Sequence, residues 1–188
     1  MKLKFLTSLL LALSTTILFG QSIPKKPQRS VSGIEIGVIG IWGFNETSLY
    51  DKFVLRSEIG LNSTVAASNG SPNFIMGPNV RVEPKWYYNF SKRVAAEKKV
   101  QNNSANFLSL SFDFSPDWFV ISDSDNYNIP NQITIAPKWG IRRNIVGHFN
   151  FEMGLGLGMR SFFGKPYGDD NESTELVPIL DLKFGYTF

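Results

Sequence analysis

The sequence contains no cysteine among its 188 residues, and this absence excludes several classes of function at once. A disulfide framework, a thiolate metal site, a cysteine nucleophile and a lipoprotein anchor all need that residue. A single histidine, His148, excludes a histidine-rich metal site. Charged residues are also few, at 19%, whereas hydrophobic residues reach 43% and aromatic residues 14%. The chain is therefore too apolar to be disordered, and its length predicts one domain.

Long apolar runs are absent except at the N-terminus. Residues 1–4 contain two lysines, residues 5–19 form an apolar run interrupted by serine and threonine, and a zone of small residues follows at 20–22. Fifteen helical residues span about 22 Å, short of a hydrocarbon core of about 30 Å. We therefore expect residues 1–20 to be a cleaved signal peptide and residues 21–32 a periplasmic arm. Without Lys2 and Lys4, 17 basic residues balance 16 acidic ones, so the charge gives no reason to expect nucleic-acid binding.

Apolar and polar residues alternate through the remaining chain. Over residues 148–160, six apolar side chains from Phe149 to Met159 alternate with small or polar ones. A helical period of 3.6 residues cannot produce this pattern, whereas a strand does. The same alternation predicts strands over residues 34–44, 53–62, 80–88, 108–114, 133–142 and 176–188. The sequence thus predicts an all-β protein with seven clear strands.

An eighth strand follows from the even strand number of single-chain outer-membrane barrels. Residues 117–122, after a tight turn at 115–117, are the best candidate. Both termini then lie at one end, with connections 63–73, 115–117 and 143–147. Connections 45–52, 89–105, 123–131 and 161–174 lie at the other end and are generally longer, as expected of extracellular loops. We predict that residues 33–188 form a closed antiparallel up-and-down transmembrane β-barrel of eight strands.

The polar face of the predicted strands carries six acids and seven bases. They are Glu35, Glu58, Glu83, Asp113, Glu152 and Asp181, with Arg56, Arg81, Lys85, Lys138, Arg142, Arg160 and Lys183. A soluble barrel would turn this face outward, whereas a membrane barrel would enclose it. The near balance suits an interior network that neutralises itself, and Gly154, Gly156 and Gly158 on the same face would make room for it. We therefore predict a polar, salt-bridged interior.

Aromatic residues near the predicted strand ends indicate two interfacial girdles. Tryptophan and tyrosine are enriched where a membrane meets water. The prediction places Trp42, Phe44, Trp86 and Tyr88 at the outer level, and Trp139, Tyr186 and Phe188 at the inner level.

The chain ends in Phe184-Gly185-Tyr186-Thr187-Phe188, with aromatic residues at alternate positions. In this ending it resembles the small outer-membrane β-barrels of Gram-negative bacteria. Residues 56–61, 83–89 and 139–144 are similar to barrels of Bacteroidota, and the size is that of OmpA/OmpX-type barrels. The resemblance implies that Phe184, Tyr186 and Phe188 are an assembly signal read by the barrel-assembly machinery. It also implies an outer-membrane location, with membrane lipid and lipopolysaccharide as surroundings.

Three patterns that suggest catalysis or ligand binding have simpler explanations. His148 lies beside a predicted periplasmic turn, and no Gly-x-Ser-x-Gly elbow accompanies it. Residues 154–158 look like a nucleotide loop but sit inside a strand. Five loop acids show no calcium-cage spacing: Asp123, Asp125, Asp169, Asp170 and Glu172. We therefore expect no enzyme activity, no cofactor and no metal.

One loop has a basic character that fits a lipid surface. Lys92, Arg93, Lys98 and Lys99 accompany a single acid, Glu97, and this loop could contact lipopolysaccharide phosphates. A solubilising loop is the simpler interpretation.

These patterns favour an outer-membrane barrel with a structural role, or a surface-binding role through its loops. One alternative is a narrow porin-like channel for ions or small solutes. A second is a secreted, lipocalin-like soluble barrel that binds a hydrophobic ligand.

Overall fold

The computed structural model describes residues 26–68, 71–122, 130–163 and 173–188, without the side chains of residues 64–68 and 71–73. The strands are β1 (Ser30–Gly37), β2 (Gly40–Tyr50), β3 (Phe53–Ser68), β4 (Ser71–Trp86), β5 (Asn106–Ser115), β6 (Ile121–Ser122), β7 (Asn131–Val146), β8 (Phe149–Phe163) and β9 (Thr174–Thr187). A short helix, α1 (Phe90–Ala95), and a 3-10 turn (Gln101–Asn103) separate β4 from β5. Over the described residues, helices of the length and apolarity that a membrane crossing requires are not found.

Eight of these strands form a closed antiparallel barrel, as predicted. The sheet order is β3-β2-β1-β9-β8-β7-β5-β4, and pairing of β3 with β4 closes it. The two-residue strand β6 is an addition to the barrel, paired with β4 at Ile75 and Met76. Closure leaves no free edge where the ladders are continuous.

Two of the predicted strands are wrong, and the errors cancel in the count. Residues 34–44 form parts of two strands, β1 and β2, joined by a turn at Val38 and Ile39. Residues 117–122 do not form a barrel strand, because only Ile121 and Ser122 pair with a neighbour. The turn was hidden because apolar Val38 and Ile39 resemble strand residues.

Both termini lie at the same end of the barrel, which we call the termini end, and the opposite end is the far end. The turn at 51–52, the connection 87–105 and the turn at 147–148 also lie there, since β2, β4 and β7 run toward it. Four connections therefore lie at the end of the barrel opposite to the predicted one, namely 45–52, 63–73, 89–105 and 115–117. The split of residues 34–44 causes this reversal. The strand β1 also begins at Ser30, inside the predicted arm.

Prolines within the strands sit where the hydrogen-bond ladders are interrupted. The β4–β5 register skips from Val82 to Lys85, across Pro84. The β7–β8 register skips from Ile135 to Lys138, across Pro137. Because proline has no N–H to donate, these gaps are the places where a strand tolerates it.

The β1–β2 turn depends on Gly40, whose φ is +150°. A Cβ there would collide with the carbonyl oxygen of Leu61, while one at Gly43 would find its nearest atom 3.9 Å away. We expect Gly40→Ala to lower the free energy of unfolding by about 1–3 kcal/mol because of this strain. Gly43→Ala, the matched control on the same strand, should change it by less than about 0.5 kcal/mol. Urea unfolding measures both, and equal effects would contradict this account of the turn.

Candidate functional site

The barrel carries its polar side chains inside and its apolar side chains outside. Strand β4 shows the pattern clearly. Its outward side chains include Val82 and Trp86, which are 40% and 41% exposed, whereas the intervening Glu83 and Lys85 are 1% and 0% exposed. Exposed aliphatic residues cover the outer face of the other strands as well, among them Ile36, Ile59, Leu110, Ile135, Leu155, Leu157 and Leu180.

Eleven of the thirteen charged residues predicted to face the interior are buried. They are Glu35, Arg56, Glu58, Arg81, Glu83, Lys85, Lys138, Arg142, Glu152, Asp181 and Lys183. Asp113 is partly buried and pairs with Arg81. Arg160 lies near the far end of the barrel, where it forms an exposed pair with Glu175 at 3.3 Å. The interior network therefore includes every predicted residue except Arg160.

Arg56 is the centre of this network at the termini end. Its guanidinium nitrogens lie 2.5 Å from carboxylate oxygens of Glu35 and Glu58, and 3.1 Å from one of Glu46. An oxygen of Glu152 lies 3.7 Å away. Four carboxylates from four strands therefore converge on one fully buried cation. Because the guanidinium is planar with five donors, it can serve several acceptors at once.

Other cations extend the network across the lumen. Arg142 Nη1 lies 2.9 Å from Glu35 and 2.8 Å from Glu152. Toward the far end, Lys138 Nζ lies 2.9 Å from Glu83 and 2.8 Å from Asp181. Two further pairs join Lys85 to Glu152 at 2.6 Å and Lys183 to Glu58 at 2.7 Å. These contacts brace opposite walls, and buried charges are stable only when paired in this way.

Glu46 belongs to the network although the sequence analysis placed it in a loop. It is fully buried on β2, which continues to Tyr50. Once the turn at Val38 and Ile39 is recognised, the alternation Trp42, Phe44, Glu46 places all three side chains on one face. That alternation is the signal that would have identified it.

The connection between β4 and β5 folds over the termini end and plugs it. A buried apolar cluster joins Val54, Tyr87, Phe90, Val100, Ala105 and Phe107. Asn103 Nδ2 donates a hydrogen bond to Glu46 at 2.8 Å, and Asn102 Nδ2 donates one to Thr187 at 2.8 Å. Arg142 Nε donates to the backbone oxygen of Asn102 at 3.0 Å. The plug is therefore fastened directly to the charged network.

Tyr87 links the plug to Glu46. Its hydroxyl lies 3.0 Å from both carboxylate oxygens, and burial, together with the negative charge of Glu46, raises the pKa of the phenol well above its usual value. The hydroxyl therefore stays protonated and donates.

We expect Tyr87→Phe to lower the free energy of unfolding by about 1–3 kcal/mol, because a buried carboxylate loses a donor. Tyr50→Phe is the control, since Tyr50 is 79% exposed and its change should be negligible. Urea unfolding of both variants checks this. No loss in Tyr87→Phe would mean that the plug does not rest on this contact.

Two of the predicted girdle residues face the interior, so the prediction that they point outward is wrong. Trp42 and Phe44 are 1% and 5% exposed. Arg56 lies over the Phe44 ring at 4.2 Å, and Lys183 Nζ lies 4.6 Å from the Trp42 ring. Glu35 pairs with Trp42 across the β1–β2 hairpin, and cross-strand partners share a face. A two-residue turn thus reverses which positions point inward.

Of the other predicted girdle residues, Trp86, Tyr88, Tyr186 and Phe188 lie toward the termini end, whereas Trp139 lies near the middle of β7. Trp86 and Tyr88 were expected at the opposite level from Tyr186, but β4 ends at the termini end, as β9 does. Tyr88 accepts a hydrogen bond from Trp139 Nε1 at 2.9 Å, and Trp86 stacks on Phe53. Phe188 packs edge-on against Tyr186. A second group of outward aromatic residues lies near the far end, on β4, β5, β8 and the segment after β5: Phe74, Phe114, Phe163, Trp118 and Phe119.

The remaining candidate residues take structural positions. His148 lies in the turn at the termini end, where it stacks on Tyr186 and its Nδ1 is 2.8 Å from the backbone oxygen of Thr187. Gly154, Gly156 and Gly158 lie within β8, as expected from the alternation. The basic residues Lys92, Arg93, Lys98 and Lys99 lie on the plug.

No cation site was found among the residues that the structure describes. Clusters of three or more potential metal ligands are absent from them. The loop acids Asp123, Asp125, Asp169, Asp170 and Glu172 lie outside the described residues.

Comparison with known proteins finds no matching family, no matching curated protein and no matching solved structure.

Proposed function

We propose that this protein is an integral outer-membrane β-barrel with a closed interior and a structural role, whose far-end connections carry any surface binding. The observation that supports this most is the inverted distribution of side chains. In water this distribution would be doubly unfavourable. Burying six acids and six bases costs desolvation free energy, and a continuous apolar face would stay exposed to water. In a bilayer, the same distribution places every class of side chain in its preferred surroundings.

The height of the apolar face matches a bilayer. Outward aromatic residues mark its two limits on β4, at Phe74 and Trp86. Twelve residues at about 3.3 Å each, tilted by about 40°, span about 30 Å. The residues of the same alternation between them are Met76, Pro78, Val80, Val82 and Pro84, of which Pro78 is buried, and none of them is charged. The height of this band equals the thickness of the hydrocarbon core of a membrane, which supports the proposal.

The contents of the lumen favour a structural role over a channel. Charged side chains from several strands pair with one another inside the lumen, and the plug covers the termini end. An eight-stranded barrel has an interior that side chains can fill. The lipocalin-like alternative needs an apolar interior for its ligand, and this interior is charged at the level of Arg56 and Arg142.

The termini end would be periplasmic in this arrangement. Exposed aromatic residues alternate along the last part of β9 and the residue after it, at Phe184, Tyr186 and Phe188, and this fits recognition by the barrel-assembly machinery. The basic side chains of the plug would then face the inner leaflet and not lipopolysaccharide.

Gel mobility of the envelope-extracted protein tests the membrane proposal. A closed barrel resists SDS in the cold, so we expect the cold and boiled samples to migrate differently. A protein recovered in the soluble fraction, with one mobility at both temperatures, would contradict the proposal.

Planar-bilayer recording separates the structural role from the channel. We expect no steady unit conductance, because the network and plug obstruct the lumen. Steady conductance that persists in the absence of denaturant would remove the closed-barrel proposal and support the porin-like alternative.

A further inference from the structure

The outward face of the barrel strands carries one charged side chain, that of Arg143. The other outward positions of the eight strands that the structure describes hold uncharged residues. Arg143 lies three residues before the end of β7, on the same face as Trp139, and its neighbours on that face are Ile141 and Ile145. A charge on a face of this kind marks a functional position, because apolar surroundings give it no counter-charge.

Neutral groups hold Arg143 in place. Its Nη2 donates a hydrogen bond to Asn106 Oδ1 at 2.5 Å, and its Nη1 donates one to the backbone oxygen of Arg142 at 2.7 Å. Asn106 Nδ2 in turn donates to the Tyr88 hydroxyl at 3.3 Å, and Trp139 Nε1 donates to the same hydroxyl at 2.9 Å. These contacts fix the guanidinium on the outer wall but leave its positive charge uncompensated.

Helix α1 brings a second arginine to the same place. Arg93 lies close enough to Arg143 for the two positive charges to repel each other. Its Nη2 donates to the backbone oxygen of Lys99 at 2.7 Å, while its Nε is buried and has no hydrogen-bond partner among the described residues. Arginine keeps its charge in proteins, so the two guanidinium groups, which we call the arginine pair, form a local concentration of positive charge.

The arginine pair differs from every cation of the interior network. Arg56, Lys138 and Arg142 each contact at least two carboxylates. Within the described part of the chain, neither member of the arginine pair forms an ion pair with an acid. Two guanidinium groups without an acid suit a phosphate, because its oxygens accept hydrogen bonds from both forks. The missing negative charge therefore points to an anionic ligand from outside the chain.

The arginine pair lies where the apolar band ends. Trp86 marks that limit on β4, and Tyr88, which is linked to Arg143 through Asn106, lies two residues further toward the termini end. On the other side of the pair, toward the far end, the wall is apolar, since Leu108 and Trp139 are outward and pair across β5 and β7. A molecule with a phosphate at the pair and an apolar tail along this wall has suitable surroundings for both parts.

We propose that Arg93 and Arg143 bind the phosphate of one anionic phospholipid of the inner leaflet, with an acyl chain lying past Trp139. This inference rests on the proposed membrane location. Any phospholipid offers its phosphate to one arginine, but the ammonium of a zwitterionic head is repelled by the second. One arginine beside an anionic lipid gives a factor of about five, so we expect phosphatidylglycerol to be preferred to phosphatidylcholine by about fivefold.

Trp139 provides a natural reporter for this site. It lies four residues from Arg143 on the same face of β7, about 13 Å toward the far end, so the acyl chain of a bound lipid passes its indole. The emission of Trp139 is the difference between the native chain and Trp139→Phe. Ile34 is outward on β1 and 50% exposed, and β1 is three strands away from β7. The emission that Ile34→Trp adds therefore reports on lipid away from the arginine pair.

The experiment uses vesicles with equal amounts of the two lipids, in which bromine is carried by the acyl chains of one or the other. We expect brominated phosphatidylglycerol to quench Trp139 about fivefold more effectively than brominated phosphatidylcholine, and both to quench the tryptophan of Ile34→Trp equally. In Arg93→Gln the preference at Trp139 should disappear. Lys92→Gln is the matched control, since it removes an exposed charge from the adjacent position of α1, and it should leave the preference unchanged.

The outcomes separate the two proposals. If neither lipid quenches either tryptophan, the membrane proposal fails. If both tryptophans are quenched but Trp139 shows no preference, the membrane proposal stands and the lipid site is wrong, which is also the result if the pair takes free phosphate. A preference that Lys92→Gln lowers as much as Arg93→Gln does would mean a diffuse basic surface and would overturn the site. The lipid comparison uses the native arginine pair, so it decides the matter even if Arg93→Gln does not fold.

Discussion

Replacement of Arg56 by methionine is expected to lower the free energy of unfolding by about 3–5 kcal/mol, the largest single loss in this barrel. The reason is the number of carboxylates that it serves. Glu35, Glu46 and Glu58 lie within 3.1 Å of its guanidinium, and all are fully buried. Methionine fills much of the space but leaves these charges without their shared partner. Urea unfolding of protein folded in lipid vesicles measures the loss.

Arg160→Met is the matched control for this prediction. Arg160 also pairs with a glutamate, but its side chain is 35% exposed and that of Glu175 is 50% exposed. Exposed pairs contribute less than about 1 kcal/mol. If both substitutions cost the same, burial of the network would not be what makes Arg56 important.

Replacement of Leu155 by arginine is expected to cost about 2–4 kcal/mol when the protein is folded in a bilayer. Leu155 is outward and 47% exposed, and it lies near the middle of β8. Its pairing with Leu180 places it in the centre of the apolar band. A guanidinium there would have to leave water for hydrocarbon. Unfolding titrations in vesicles measure the cost.

Leu176→Arg tests whether the cost depends on depth. Leu176 is outward and 70% exposed, but it lies near the far end of β9, where an arginine reaches the interface at about 0–1 kcal/mol. A soluble barrel would tolerate both substitutions equally, since both positions would face water. Equal small effects would therefore contradict the lipid-facing assignment.

The alternation of side chains predicts most of the fold and most of the interior. It identifies the inward charges because strand period two is a local property of the sequence. It fails at Trp42 and Phe44, since two apolar residues, Val38 and Ile39, form a turn that reverses the inward positions. Glu46 was missed for the same reason.

The plug is harder to predict from the sequence than the strands. The plug depends on contacts such as Asn103 with Glu46, which lie 57 positions apart in the chain. No local pattern reports a contact of that separation. The early end of the β1–β2 hairpin, at the pair Gly37 and Gly40, is likewise visible only when the pairing register of the strands is known.

A nitroxide scan of β5 in lipid vesicles tests most directly whether the apolar face contacts lipid. The absence of native cysteine allows single labels at residues 108–112, a stretch without charged residues. Leu108, Leu110 and Phe112 are exposed outward, and Ser111 is 1% exposed inside. We predict high collision rates with lipid-dissolved oxygen at 108, 110 and 112, and low rates at 109 and 111. Preferential collision of the outward labels with a water-soluble nickel chelate would contradict the account.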